Sequence, residues 1–383
     1  MVILGFTIMT AFAAEQKRIV PLEIGVQAPD FDLPAVAPYG ARPGVDGRNY
    51  RLGDFADANI LVVVFTANHC PTAQAYEGRI MQLATDYKDK GVAVIAISPN
   101  DPLSVRLDEL GYSDLGDSFE EMKIRAKERK FNFPYLYDGQ TQSVSVQYGP
   151  VSTPHVFIFD KEQKLQYTGA IDNNEDPNKI KKNFVRDAID SLLEGREVTL
   201  KKTKTFGCSI KWADKRKSVE QALQQWAKEP VDVNLMDAKG VAELMKNDSP
   251  STSSGPNAGK LRLVNIWATW CGPCVIEMPE LVSINRMYRG RAFEMITISG
   301  DLPGKKDDVL AFLKARQVSC TNYLFGSEDR TELLEALDKD WEGGIPHTVI
   351  VKPGGEIIYR HSGQIDPLEV KKVIIGYLGR YYF

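Results

Sequence analysis

The sequence predicts an α/β protein of two tandem domains, each a central mixed β-sheet flanked by helices on both faces. Its 383 residues exceed what one hydrophobic core usually serves. The same succession of apolar runs also occurs twice. Residues 60–67 (ILVVVFTA) read as a buried strand and lead to Cys70, a helix-like stretch to about Lys88 and a second strand at 92–98 (VAVIAIS). Residues 261–268 (LRLVNIWA) lead likewise to Cys271, a helix to about Tyr288 and a strand at 293–299 (FEMITIS). Downstream, STPHVFIFD (152–160) and GIPHTVIVK (344–352) each set a proline before a strand, then a hairpin-like turn, a Gly-x-Ile-Asp (169–172 and 363–366) and a closing helix. Cys70 to Pro154 is 84 residues and Cys271 to Pro346 is 75, so the repeat is one of architecture.

That repeat sets the expected boundaries: a first domain over 15–213, a polar, lysine-rich linker over 214–230 and a second domain over 231–383. The segment NDSPSTSSGPNAG (247–259) reads as a mobile loop inside the second domain, because VNLMDAKGVAELM before it reads as a strand and helix that need a core. Residues 1–14 are apolar, too short to span a bilayer, and offer a small-x-small pattern at 11–13. They predict a secretory signal cleaved after Ala13 and an extracytoplasmic location, periplasmic or secreted. Against this stands the lack of any basic residue before Lys17, and a buried first strand is the other reading.

Composition excludes several classes. Hydrophobic content of 43% and charge of 26% are ordinary for a globular protein, and a net charge of -4 argues against a nucleic-acid surface. No later segment reads as a membrane helix, and no organic cofactor motif is present. Five cysteines are too few for a disulfide scaffold in this length, so they read as working or incidental thiols.

The chemistry concentrates in WCGPC. Cys271 and Cys274 lie at a strand-to-helix junction, where unpaired amides and the positive end of the helix stabilise a Cys271 thiolate. Thiolates attack disulfides, and CxxC thiols ionise between about 3.5 and about 7. Cys274, one turn deeper, is placed to attack the mixed disulfide formed on Cys271. Trp270 and Gly272 flank the site, Pro273 falls in the first turn where it costs no helical hydrogen bond, and Pro279 is expected to kink the helix. A zinc site needs two more ligands than this pair offers, and there is no second CxxC, so no metal is expected. Cys70 occupies the place of Cys271 but has Ala73 where the second cysteine would stand. Its sulfur, once oxidised, needs another thiol: either Cys208, whose bond would close a 138-residue separation worth about 4 to 5 kcal/mol of chain entropy, or Cys271 of the other domain. An inert, binding-only first domain is the third reading. His69 beside Cys70 is a minor candidate for stabilising a thiolate, and Cys320, outside any motif, reads as a buried structural thiol.

Residues 231–383 resemble the thioredoxin superfamily, and more narrowly secreted thiol-disulfide oxidoreductases of the TlpA and ResA type. That resemblance implies a cis-proline loop at Ile345 and Pro346 facing the dithiol and binding extended substrate, and a proton-handling role for Glu277. Asn265 stands where thioredoxin has a buried aspartate. NHCP with GCSIKW, over about 22–213, resembles a peroxiredoxin-like redoxin branch of the AhpC/TSA superfamily. Peroxidases there carry a proline and threonine before the cysteine and a distant arginine; here the residues are Val63, Ala67 and Pro154, which weighs against peroxide chemistry. Pro154 is the counterpart of Pro346. The resemblance implies protein disulfides or thiols as partners and leaves open a membrane thiol-electron donor, the direction of exchange and the oligomeric state. A peroxidase with a built-in reductase domain and a client-binding scaffold are the competing functions.

Overall fold

A computed structural model describes residues 19–38, 40, 47–248 and 259–382. The expected signal segment and nearly all of the serine-rich loop lie outside the described residues. The first sheet holds β1 (Asp32–Val36), β2 (Asn49–Arg51), β3 (Ile60–Phe65), β4 (Val92–Ser98), β5 (Tyr135–Tyr137), β6 (His155–Phe159) and β7 (Leu165–Gly169) in the order β2-β1-β5-β4-β3-β6-β7. Helices α1 (Pro71–Tyr87), α2 (Phe119–Arg129), α3 (Ser143–Tyr148) and α4 (Phe184–Leu193) accompany it. Strands β3 and β4 run parallel, as a helical crossover requires, whereas β6 and β7 return antiparallel.

An α5 helix (Arg216–Trp226) joins this unit to the second. There β8 (Asn234–Met236), α6 (Ala238–Lys246), β9 (Leu261–Trp267), α7 (Gly272–Tyr288), β10 (Phe293–Ser299), α8 (Lys306–Ala315), β11 (Thr321–Phe325), α9 (Arg330–Leu337), β12 (His347–Val351), β13 (Ile357–Ser362) and α10 (Pro367–Leu378) follow. The sheet order is β13-β12-β9-β10-β11-β8. Every residue of β3 and of β9 is buried, which explains why β3 reads as an unbroken apolar run and β9 as a mainly apolar one, its Arg262 and Asn265 each bonded to a carboxylate: a strand covered on both faces has no solvent side on which to place unpartnered polar residues. One cluster, around Val62, Tyr76 and Ile80, packs on one side of the first sheet, and another, around Val63, Phe65 and Phe157, on the other.

The linker is a packed helix rather than a loose connection. Arg216 pairs with Asp101 at 2.6 Å in the first unit, while Trp226 is buried with the Arg286 guanidinium 5.1 Å from its ring, and Glu229 takes both nitrogens of Arg289. Residues 107–114 add a second seam. Leu107 and Leu110 pack onto the second core, and the Tyr288 hydroxyl donates to the Ser113 carbonyl at 2.7 Å in the interior. Arg291 gathers the carbonyls of Gly111, Leu378 and Gly379, and its guanidinium lies 4.0 Å over the Tyr112 ring. Pro279 stands inside α7 without ending it. No described helix is long and apolar enough to cross a membrane.

Because Arg291 makes charge-assisted bonds across the seam, Arg291→Ala should cost about 1.5–3 kcal/mol. Calorimetry on the intact chain is expected to show the single transition broaden or split into two; an unchanged profile would mean that the seam contributes nothing to cooperativity.

Candidate active sites

Both sites are built the same way. A buried central strand ends at a cysteine that caps a long helix through sulfur, with proline in the first turn. In the second unit Cys271 is the N-cap of α7, its Sγ accepting the Cys274 amide at 3.3 Å, and Pro273 sits within the first turn. Cys271 and Cys274 are joined as a disulfide, Cys274 fully buried and Cys271 nearly so. The Ile345–Pro346 peptide is cis, and the Ile345 carbonyl oxygen lies 3.7 Å from Cys271 Sγ. The loop is braced from behind, since Trp341 Nε1 donates to the Gly344 carbonyl and the Trp341 ring stacks on His347. Thr269 binds the Asp301 carboxylate by amide and hydroxyl, which sets Leu302 beside the site. Trp270, Ile276 and Leu302 are more than half exposed there, and Gly272 and Pro273 are exposed with them.

Glu277 lies one turn below Cys274. Its carboxyl accepts from Asn265 Nδ2 at 2.9 Å and from the Ile365 amide at 3.0 Å, and burial raises its pKa above the ordinary carboxylate value. Asn265 also donates to Thr348. The amide at the aspartate position of thioredoxin is therefore the group that holds a carboxyl supplied by the helix.

Cys70 caps α1, its Sγ accepting the Ala73 amide at 3.4 Å, and is fully buried. The Thr153–Pro154 peptide is cis, and the Thr153 carbonyl oxygen lies 3.3 Å from Cys70 Sγ, as Ile345 lies near Cys271. The difference is on the outer edge of that loop. Cys208 pairs with Thr153 in an antiparallel bridge, the Thr153 amide donating to the Cys208 carbonyl at 2.9 Å, and the Cys208 amide donates to Cys70 Sγ at 3.4 Å. Gly207 makes this approach possible, because at its φ of +131° a Cβ would stand 2.0 Å from the Thr153 oxygen. The strap continues through Lys211, whose amide donates to Asn100, and Gln142, whose side chain holds the carbonyls of Pro99 and Lys211.

Cys70 and Cys208 are free thiols in this state. Burial opposes ionisation of Cys70, but the Cys208 thiol, His69, Thr153 and the Ala73 amide outweigh it and bring it down to about 6. The same hydrogen bond to Cys70, with burial, pushes Cys208 well above its ordinary value, so within the pair Cys70 is the sulfur that ionises first. Cys320 is half-buried beside Asn322, and burial pushes its thiol up to about 12, which leaves it unreactive near neutral pH.

Sequence reasoning missed the groups that surround Cys70. Asp117, between β4 and α2, receives the Asn68 and His69 amides, Asn100 Nδ2 and the His69 ring. The chain's last residues also reach the first site. Arg380 makes a two-pronged pair with Asp114 at 2.6 and 2.7 Å and touches Gln74, and Tyr382 meets the Tyr112 ring edge-on at 4.7 Å. Tyr382 lies close enough for the charges of Cys208 and Cys70, after burial, to raise its phenol to about 12. The expectation that Cys271 attacks Cys70 directly does not survive this arrangement. Cys271 stands at the start of α7, whereas Tyr288 at its end contacts the loop beside Cys70, and a helix of 17 residues is about 25 Å long. Among the described residues no group of three or more His, Cys, Asp or Glu is arranged to hold a metal.

A mixed sheet with a sulfur-capped helix facing a cis-proline loop, present twice, defines a pair of thioredoxin-like thiol domains. Residues 24–168 match the AhpC/TSA family and residues 220–374 the Redoxin family, so the chain carries two redoxin/AhpC-TSA thioredoxin-like domains in tandem. It is 26% identical over 129 residues to the thiol:disulfide interchange protein HelX of Rhodobacter capsulatus, covering 33% of this chain and 66% of that protein. It is 31% identical over 113 residues to the thiol-disulfide oxidoreductase ResA of Oceanobacillus iheyensis, covering 29% and 55%. The chain thus spans 55 to 66% of the length of these two curated relatives. Among solved structures, an uncharacterized conserved protein from Geobacillus kaustophilus is 38% identical over 50% of this chain and 92% of that one, with a TM-score of 0.43.

Two substitutions test the enclosure of Cys70. Gly207→Ala should break the bridge to Thr153, and Arg380→Ala should remove a charge-assisted anchor worth about 1.5–3 kcal/mol. Native-state alkylation of Cys70, followed by mass spectrometry, is expected to accelerate roughly 10- to 100-fold at about 1.4 kcal/mol per decade. Rates equal to wild type in both would show that neither segment limits access.

Proposed function

We propose that this protein is an extracytoplasmic thiol-disulfide oxidoreductase whose Cys271–Cys274 dithiol reduces or exchanges protein disulfides. One observation carries the reading: a CxxC disulfide at a helix N-terminus, beside a cis-proline loop whose Ile345 backbone has no backbone partner among the described residues, and ringed by exposed Trp270, Ile276 and Leu302. In the reducing direction the Cys271 thiolate attacks a substrate disulfide and expels one thiolate. Cys274 then attacks Cys271, which releases the second substrate thiolate and closes the disulfide. Glu277 is placed to take the Cys274 proton, because a carboxyl buried near the resolving sulfur exchanges protons closer to neutral pH than an exposed one. Ile345 and Pro346 offer backbone to an extended substrate. Location outside the cytoplasm rests on the signal-like run at 1–14 and on the ResA-type resemblance, and so does the preference for a reductant; a membrane thiol-electron donor would complete the cycle.

For the first domain we propose that Cys70 and Cys208 form a second redox couple. Their placement supports it: each sulfur is within reach of the other, and Cys70 is poised as the anion. The peroxidase reading has less support, because the Cys70 sulfur is met by the Ala73 amide, the Thr153 carbonyl and Cys208, Ala67 stands where the motif threonine would be, and no arginine is bonded to the sulfur among the described residues.

Cys271→Ser should abolish turnover of a protein disulfide, and Cys274→Ser should accumulate a mixed disulfide on Cys271 that non-reducing mass spectrometry detects. Glu277→Gln should slow turnover at least about tenfold and flatten its pH dependence between about 5 and 8; an unchanged rate and profile would remove Glu277 from the mechanism. Mild oxidation followed by digestion without reductant should yield a Cys70–Cys208 linked peptide. Recovery of Cys70 as a free thiol after oxidation would make the first domain a binding module instead.

A further inference from the structure

His69 is 1% exposed and has one ring nitrogen committed and one not. Its Nδ1 lies 2.5 Å from Asp117 Oδ2, while Nε2, on the far side of the ring, is buried with no hydrogen-bond partner. A polar atom left bare in the interior costs about 1–3 kcal/mol, which folding tolerates where the group has work to do. Asp117 is built to stay charged, since its two oxygens accept the Asn68 amide at 2.8 Å, the His69 amide at 3.2 Å and Asn100 Nδ2 at 2.8 Å besides the imidazole. Asn100 is itself fixed by the Lys211 amide, which ties this cluster to the strap carrying Cys208.

We infer that His69, oriented by Asp117, is the proton donor and acceptor for disulfide exchange at Cys70 and Cys208. The inference rests on the reading of those two cysteines as a redox couple and names how the couple handles protons. Asp117 is a positioning residue: by accepting from Nδ1 it leaves Nε2 as the ring nitrogen without a partner, the one available to exchange a proton. In the resting state the Cys70 thiolate is balanced by the imidazolium, and the pair, together with Asp117, carries a single net negative charge at the positive end of α1. The Cys70 thiolate attacks the disulfide of a substrate; one substrate sulfur bonds to Cys70, and the other leaves as a thiolate that takes the Nε2 proton. The neutral imidazole then accepts the proton of the Cys208 thiol. Cys208 attacks Cys70, and the second substrate thiolate departs with that proton. Two electrons and two protons pass to the substrate, the Cys70–Cys208 disulfide forms, and His69 ends neutral.

The charged and titratable groups around the ring are Cys70 on its own turn, Asp117 before α2, Lys211 on the strap with Glu109 bound to its amine, and Cys208. Burial alone would lower the His69 pKa, but the charge and hydrogen bond of Asp117, followed by the charge of Cys70, raise it above the ordinary value, while Lys211 acts in the opposite sense. Loss of the Cys70 charge on oxidation removes one of the terms that hold the proton.

The test is imidazole NMR on the full chain with Cys271 and Cys274 replaced by serine, so that the first domain alone changes redox state. With Cys70 and Cys208 reduced, the His69 resonances should report an imidazolium at pH 7. Oxidation with diamide, checked by the linked peptide, should shift its titration midpoint down by at least one pH unit. Cys70→Ser should do the same without any oxidant, which separates this inference from the pairing of the cysteines. Asp117→Asn and His69→Gln should raise the midpoint of the Cys70 thiolate absorbance at 240 nm and slow reaction with oxidised glutathione about tenfold or more at pH 7, with rates near wild type at pH 9.5. An unshifted His69 midpoint in both the oxidised protein and Cys70→Ser would overturn the inference even where the variants fail to fold; a linked peptide that never forms, with His69 still sensitive to Cys70→Ser, would sink the redox couple and leave the proton pairing standing.

Discussion

The arrangement on which the rest of this molecule depends is the meeting of a sulfur N-cap with the backbone of a cis-proline loop. A helix N-terminus leaves amides without partners, and a cysteine placed there satisfies one of them with sulfur and gains a positive field in return. The loop opposite brings a backbone carbonyl within 4 Å of that sulfur. Whatever lies along this loop decides what the sulfur meets. In the second domain the loop is open and rimmed by apolar side chains. In the first, the chain pairs with it and sets Cys208 against the Cys70 sulfur. One geometry thus serves an open site and an enclosed one, and the distinction rests on a single bridge between Thr153 and Cys208.

The two domains are held in a definite relation by side chains from both sides of the seam. Trp226 of the connecting helix, Tyr288 and Arg291 from the second unit, and the 107–114 loop from the first form one continuous contact. This contact lies at the far end of α7 from its dithiol and at the near side of the Cys70 site. The second domain therefore meets the first through its closed base, and its C-terminal residues, Arg380 and Tyr382, serve as part of the wall around Cys70.

Much of this was legible in the sequence because it is local. The largely apolar runs of β3 and β9, the cysteine that follows each, the proline before β6 and β12 and the CxxC spacing all declare themselves within a dozen residues. The role of Asn265 was half visible: its departure from aspartate could be read, but its bond to Glu277 depends on a strand and a helix closing on each other. The surroundings of Cys70 were not legible. Asp117 lies 48 residues from His69 in a loop with no periodic signal, and Arg380 lies 266 residues from Asp114. The short edge strand β2 escaped notice for a related reason, since with few buried residues it lacks the pattern that marks its neighbours. The lysine-rich stretch between the domains could be read as a linker or linking helix, but its packing could not, because that rests on Ala222 and Trp226 alone in a sequence dominated by charge.

The placement of the two thiol sites at opposite ends of α7 has a consequence for electron accounting. In the proposed scheme each pair of cysteines stores two electrons, and each store answers to its own external couple. The four redox combinations would then be distinct molecular species. A partner bound at one terminal would leave the other free, so a single chain could report on two different pools at once.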